Sequence, residues 1–203
     1  MIHIVDYGLG NVGAFLSLYN RLNIEACAAK SADALREADH IVLPGVGAFD
    51  HAMELLEATG MRETLDELVL ERKVPLLGVC VGMQIIGNAS EEGTSAGLGW
   101  IDGVVRSLAQ RSCGNDLPLP HMGWNDVEPA RPLSLLRGLE DPRFYFLHSF
   151  YFDNAREEDC AATVDYGARF TCVINRDNVW GVQFHPEKSH HFGSILLKNF
   201  AEL

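Results

Sequence analysis

The sequence predicts an α/β fold: a mostly parallel central sheet flanked by helices, with an additional strand-rich part. Three observations carry this expectation. Residues 2–5, 41–43 and 74–79 are short, near-continuous apolar runs, separated by stretches whose apolar residues recur at helical intervals. Strands that are apolar on both faces need helices over both faces, which is the setting of a parallel sheet. Turns rich in glycine or proline close these runs at 6–11, 44–47 and 79–82, and such sheets collect ligands at the carboxyl ends of their strands. Beyond residue 100 the candidate strands crowd together.

In chain order, residues 2–5 open directly as a strand, and Phe15, Leu18, Tyr19 and Leu22 then fall at helical spacing. Residues 24–28 and 41–43 read as the second and third strands, the latter stopped by Pro44-Gly45-Val46-Gly47. Residues 53–58 and 61–72 read as helical, with Met61, Leu65, Leu68 and Val69 on one face of the second. A strand at 74–79 leads into a helix at 81–88. Strands are then expected at 100–108, 124–127, 144–148, 161–164, 171–175 and 179–184. A closing helix at 189–200 turns Phe192, Ile195, Leu196 and Phe200 to one side. No repeat or linker interrupts the pattern, so residues 1–203 are expected to form a single domain, with 111–117 as a surface loop.

A chain of 203 residues can bury roughly 70% of its unfolded surface, so it needs no disulfide or metal staple. Lys and Arg number 16 against 28 Asp and Glu, a formal net charge of −12. That excess repels phosphate backbones and anionic membrane surfaces, which argues against nucleic-acid and membrane partners. It suits docking on a basic patch of another protein. The five cysteines are widely spaced with no CxxC pair, as in a reduced, cytoplasmic setting. The N-terminus carries no basic and long apolar leader, and no apolar run approaches the ~18 residues of a membrane span.

Three local patterns bear chemistry. Gly78-Val79-Cys80-Val81-Gly82 is a cysteine version of the nucleophile elbow. Small neighbours permit a sharp strand-to-helix turn, and the helix N-terminus favours negative charge on sulfur. Alone, the pentapeptide equally fits a small buried cysteine between packing glycines. Gln183-Phe184-His185-Pro186-Glu187 ends an apolar strand; His185 can serve as base to a thiol, and Glu187 can orient the imidazole. Alone, it fits a surface His-Pro turn with a solvated acid. Pro44-Gly45-Val46-Gly47 offers the Val46 N–H, with the Val81 N–H after the nucleophile, as a donor pair for an oxyanion. Alone, it is a plain turn.

Together the three make one acyl-transfer apparatus, and the chain resembles the class I (triad) glutamine amidotransferases over essentially its whole length. It is most similar to the branch of glutaminase subunits of imidazole glycerol phosphate synthase. The residues that carry this narrower likeness are Asp6-Tyr7-Gly8-Leu9-Gly10-Asn11, Pro44 to Gly47, Gly82-Met83-Gln84, Pro120-His121-Met122-Gly123-Trp124-Asn125 and His185-Pro186-Glu187-Lys188-Ser189. The resemblance implies a flavodoxin-like fold and a Cys80, His185, Glu187 triad with no metal and no cofactor. It implies an oxyanion hole from Val46 and Val81. It places glutamine against Gly45, Gln84, Glu92, His148, Ser149 and Phe150, with Glu92 paired to the substrate ammonium. It also implies a heterodimer with a (β/α)8-barrel cyclase, which receives the ammonia and makes imidazole glycerol phosphate and aminoimidazole carboxamide ribotide. Asn11, Trp124 and Lys188 match interface positions. From the residues alone, Glu92 also fits a solvated acid, His148 a core-strand histidine and Trp124 a core tryptophan.

Valines flank Cys80 where the family more often has Ile and Leu, which keeps the apolar character. The 143–152 and 188–193 segments resemble a subgroup whose ammonia goes instead to a sugar amidotransferase of surface-polysaccharide synthesis. A partner-binding module without catalysis is opposed by the complete triad. A metal site from Cys80, His185, His190 and His191 lacks ligand spacing.

Overall fold

The computed structural model describes residues 1–111 and 117–203. The first half alternates strand and helix: β1 (Ile2–Val5), α1 (Val12–Arg21), β2 (Ala26–Ala29), α2 (Ala32–Leu35), β3 (His40–Gly45), α3 (Phe49–Ala58), α4 (Arg62–Asp66), β4 (Leu76–Cys80) and α5 (Val81–Gln84). Asn11 caps α1, its Oδ1 accepting the Ala14 N–H at 3.3 Å. α4 runs on into a π-helical turn, Glu67–Glu71. The second half holds β5 (Ala89–Ser90), β6 (Gly103–Ser107), α6 (Leu108–Arg111), β7 (His121–Asp126), β8 (Glu128–Pro129), β9 (Arg143–His148), β10 (Phe150–Asn154), β11 (Cys160–Asp165), β12 (Arg169–Arg176), β13 (Val179–Val182) and α7 (His190–Ala201).

One sheet runs β2-β1-β3-β4-β13-β12-β10-β6-β5, with β11 and β8 extending from β12. Five of the eight neighbouring pairs along that path are parallel, so the sheet is mostly parallel as expected. The strand-rich part continues it through the antiparallel β13-β12-β10-β6 stretch. β7 and β9 form a separate antiparallel ribbon. The central parallel strands β1, β3, β4 and β13 are buried on both faces: Ile4, Val42, Leu77 and Val182 have no exposed surface. Each such side chain stabilises the fold by about 1.5–3 kcal/mol. Phe144 of the ribbon stacks on Phe184 at 3.9 Å, tying the ribbon to the end of β13.

Several boundaries differ from the sequence expectation. β3 passes through Pro44 and Gly45 instead of stopping before them. β1 pairs with β3 only as far as Val42, so the missing proline N–H costs no ladder bond there. The helix expected to reach residue 88 ends at Gln84, because the Ile85, Ile86 and Gly87 carbonyls are taken by Leu98, Trp100 and Gly99. β10 was not expected as a strand. It starts one residue after β9 yet joins the other sheet, with Ser149 between them. The loop expected at 111–117 lies, apart from its ends, outside the described residues, as does Cys113.

Candidate active site

The three turns singled out in the sequence meet at the carboxyl ends of β1, β3 and β4. Cys80 is the last residue of β4 and stands at φ 56°, ψ −113°, a conformation that side chains other than glycine rarely adopt. The chain turns there directly into α5. Its glycine neighbours have no room for a side chain: a Cβ at Gly78 would lie 2.6 Å from the Gly82 carbonyl oxygen, and one at Gly82 1.9 Å from that of Leu43. Gly45 is packed likewise, its would-be Cβ 2.5 Å from the Gly82 nitrogen. From the first turn, the Tyr7 hydroxyl donates to the Pro44 carbonyl at 2.7 Å. Burial, with the nearby Cys80 adding to it, raises the Tyr7 pKa out of reach, so this group stays a donor.

β13 lies beside β4 in parallel register, Val182 opposite Val79, and delivers the next few residues to the same end of the sheet. The His185 N–H bonds the Tyr145 carbonyl at 2.9 Å. Ser189 Oγ accepts the Tyr145 N–H at 3.0 Å and donates to the His185 carbonyl at 2.6 Å, which locks the turn from both sides. His185 Nδ1 meets Glu187 Oε1 at 2.9 Å, with both side chains almost fully buried. Nδ1 therefore carries the proton toward the carboxylate, and Nε2 is left free of that bond, with Cys80 close enough to act on the ring. Burial works to lower the His185 pKa; the bonds and charges of Cys80 and Glu187 together exceed it and raise it to about 9.

A cavity of about 290 Å³ opens over this pair. Val46, Cys80, Val81, Gln84, Glu92, His148, Ser149, Phe150, His185 and Lys188 line it, so most of the expected site residues come together. Gly47, Pro120 and Leu147 also line it and were not foreseen. Gly45 is not among the lining residues; it lies fully buried as the spacer that lets β3 and α5 touch. Glu187 sits behind His185. Among the described residues no group of three His, Cys, Asp or Glu side chains is placed to hold a metal ion.

The polar wall of the cavity is a closed set of hydrogen bonds. Gln84 Nε2 donates to the Phe150 carbonyl at 3.3 Å and to Gln183 Oε1 at 3.0 Å, leaving only the Gln84 carbonyl oxygen for a ligand. His148 Nδ1 donates to the same Phe150 carbonyl at 2.7 Å, while its Nε2 faces His121 Nδ1 at 3.0 Å. His121 and Asn125 thus give a physical role to the Pro120–Asn125 string that no sequence argument assigned to the site. Glu92 does more than face solvent: its Oε2 accepts the Phe49 N–H at 2.9 Å, closing the start of α3 where Ala48 offers no side-chain cap. Asp50 returns the favour by accepting the Thr94 and Ser95 N–H groups.

Of the expected interface residues, Lys188 lines the cavity, while Asn11 and Trp124 do not. Lys188 is exposed at the rim. Trp124 is 37% exposed on β7 and stacks on His190, so it is no core tryptophan. Asn11 is an exposed helix cap in the first turn, next to Gly10, which packs on Pro44. Met122 is 63% exposed and pairs across the ribbon with exposed Leu147, an apolar strip at the edge of the cavity.

The profile of the family described as glutamine amidotransferase class-I matches residues 6–202. The chain belongs to that family. It is 54% identical over the full length of both chains to the imidazole glycerol phosphate synthase subunit HisH of Bdellovibrio bacteriovorus. It is 49% identical, again over both full lengths, to the subunit of the same name from Leptospira interrogans. Among solved structures, a glutamine amidotransferase superposes with a TM-score of 0.75 at 19% identity, covering 99% of this chain and 97% of that one. A structure of PurLQS from Thermotoga maritima gives the same TM-score at 16% identity, with 99% and 97% covered. At those identities the structures speak to the fold, which they share with this amidotransferase.

Proposed function

We propose that the chain, acting as one domain, is the glutaminase subunit of imidazole glycerol phosphate synthase, with Cys80 as nucleophile, His185 as general base and acid, and Glu187 as its orienting carboxylate. The observation that carries this is the buried Glu187–His185 pair, whose imidazole lines the same cavity of amino-acid size as Cys80. Cys80 passes its proton to His185 and attacks the side-chain amide carbon of glutamine. The Val46 and Val81 N–H groups receive the oxyanion. The C–N bond breaks as His185 protonates the departing ammonia. Water then adds to the thioester, its proton going to His185; the C–S bond breaks, and glutamate leaves.

The wall chemistry fits the rest of glutamine. Gln84, its N–H groups already used, presents an acceptor to the substrate. Glu92 uses one oxygen on Phe49 and offers the other to the substrate ammonium, a charge-assisted contact. The His148-Ser149-Phe150 backbone forms the facing wall.

Ammonia becomes unreactive ammonium in neutral water, so it is best handed over under a seal. The exposed Met122–Leu147 strip beside the mouth, with Trp124, Lys188 and Asn11, supplies a surface for a partner. The partner is a (β/α)8-barrel cyclase in the cytoplasm that forms imidazole glycerol phosphate and aminoimidazole carboxamide ribotide for histidine biosynthesis. Among the described residues no helix is long and apolar enough to cross a membrane. Glutamate release, measured for the chain alone and with a cognate cyclase and its nucleotide ligand, tests the reading. Strong stimulation is expected. A folded chain that a glutamine-analogue inhibitor alkylates at Cys80, yet no cyclase stimulates, would move the acceptor to a sugar amidotransferase.

A further inference from the structure

Gln183 has no exposed surface and lies two residues before the general base. Its backbone N–H is spent on the Cys172 carbonyl at 2.9 Å, as the continuing β13–β12 pairing requires. Its side chain sits between Gln84 and Cys80, with Nε2 3.8 Å from Cys80 Sγ. The direction of that amide is set by atoms that cannot turn. The Phe150 carbonyl is a backbone oxygen and only accepts. The Gln84 atom that meets it must therefore be nitrogen, since oxygen there would face oxygen. That same nitrogen meets Gln183, so Gln183 presents oxygen to it and must present its own nitrogen on the other side, to the sulfur. A chain of three contacts thus delivers a fixed donor to the nucleophile from a dry interior.

We propose that Gln183 is a fourth member of the catalytic centre, whose N–H stabilises the Cys80 sulfur whenever that sulfur carries negative charge. This rests on the glutaminase reading for its substrate but not for its contact. Sulfur is negative twice in the cycle. Before attack, its proton has gone to His185 and the S–C bond has yet to form. At the end, water has added to the thioester, the C–S bond breaks and its electron pair returns to sulfur, which then retakes a proton from His185. A donor bonds anionic sulfur far better than the thioester sulfur between these moments, so it favours both the attack and the expulsion. Gln183 is fully buried and does not line the cavity, so binding of the substrate is not its task.

Gln183→Met removes the donor at similar length. Gln183→Glu keeps an oxygen for Gln84 and sets a second oxygen against the sulfur. The first reading is the rate at which iodoacetamide alkylates Cys80 in the full chain, followed on the Cys80 peptide by mass spectrometry, with no partner or glutamine present. At pH 7 Gln183→Met should slow it about tenfold, the weight of one hydrogen bond to a charged group, and Gln183→Glu should slow it further. With the cyclase present, kcat for glutamate release should fall by a similar factor while KM for glutamine stays within about twofold. A folded Gln183→Met chain with wild-type alkylation at pH 7 and wild-type kcat overturns the proposal. If that variant does not fold, Gln84→Met carries the test: with Gln183 free to turn, alkylation at pH 7 should slow, and an unchanged rate overturns it equally. A wild-type chain that alkylates normally but releases no glutamate with its partner would sink the glutaminase reading, whereas an active wild type with indifferent Gln183 variants would sink only the contact.

Discussion

His121 Nδ1 lies 3.0 Å from His148 Nε2, and the Phe150 carbonyl decides which of them holds the proton between them. His148 must donate from Nδ1 to that carbonyl, so its neutral ring has a bare Nε2. His121 therefore donates from Nδ1, and its own Nε2 faces Asn125 Nδ2 at 3.4 Å. A second proton on either ring would set donor against donor. Burial accordingly lowers the pKa of both, His121 to about 4 and His148 to about 3, where the backbone bond to Phe150 opposes burial without overcoming it.

Acid should unfold the protein through this pair. Above pH 6.5 both rings are neutral folded or unfolded, and the pair adds no pH dependence. Between pH 6.5 and about 4 the unfolded chain binds protons that the folded one refuses, so stability falls with pH. Each ring can contribute up to about 1.4 kcal/mol per pH unit. Urea unfolding at pH 7 and pH 5 measures the slope. His121→Phe keeps the stacking on Phe146 and Tyr166. It should lose about 1–3 kcal/mol at pH 7, by orphaning His148 Nε2, yet show the shallower acid slope. A slope as steep as the wild type's would exclude the pair as its source.

His185 behaves in the opposite sense. Its pKa rises to about 9 when folded, so its stabilising pairing is complete below pH 6.5 and is lost as pH climbs through 9. Glutamate release should therefore decline on the alkaline side with a midpoint near 9, as the proton for departing ammonia is lost. Glu187→Gln keeps an oxygen for Nδ1 but removes the charge. It should move that limb to lower pH and reduce kcat about tenfold or more. A pH–rate profile that keeps its alkaline midpoint in Glu187→Gln would contradict this.

Cys80 holds its strained backbone for the sake of its position. Cys80→Ala should abolish glutamine-dependent turnover and spare ammonia-dependent turnover by the partner. Cys80→Gly should be equally inactive but more stable than Cys80→Ala by about 1 kcal/mol, since glycine adopts a positive φ without penalty. Thermal unfolding of the two variants side by side decides it; equal midpoints would mean the turn is not strained.

Gly82→Ala should fail for a reason unrelated to chemistry. The added methyl would overlap the Leu43 carbonyl oxygen, a backbone atom held in the sheet. We expect a loss of about 3 kcal/mol or more in urea unfolding, with β3 pushed from α5. Gly47→Ala, where nothing lies within 4 Å but φ is +90°, should cost less.

The parallel half of the fold and the turns that bring Cys80 and His185 to one cavity were legible because both rest on local chemistry. Apolar runs such as Ile41-Val42-Leu43 and the glycines about Cys80 say directly what they must do. What escaped depends on contacts between distant segments. Nothing near Gln84 indicates that α5 must stop there, because Leu98 and Trp100 supply the reason. Nothing near Ser149 indicates that the chain leaves one sheet for another. Gln183 stood inside a motif already read for His185 and Glu187, and only its distance to Cys80 reveals it. Glu92 read as substrate ligand or solvated acid, and its bond to Phe49 is a third use that spacing cannot signal.

The β7–β9 ribbon is two strands wide and faces two ways. Met122, Trp124 and Leu147 are exposed on one side, while His121, Phe146 and His148 are buried on the other. Neighbouring positions along one strand thus meet different demands, one set open to solvent and the other packed inside the protein. Loss or gain of a single residue in either strand would exchange the faces, sending a histidine outward and Met122 or Leu147 into the buried interior. The length of this ribbon is therefore as constrained as any side chain in it, and a deletion one residue long should disable hydrolysis and assembly together.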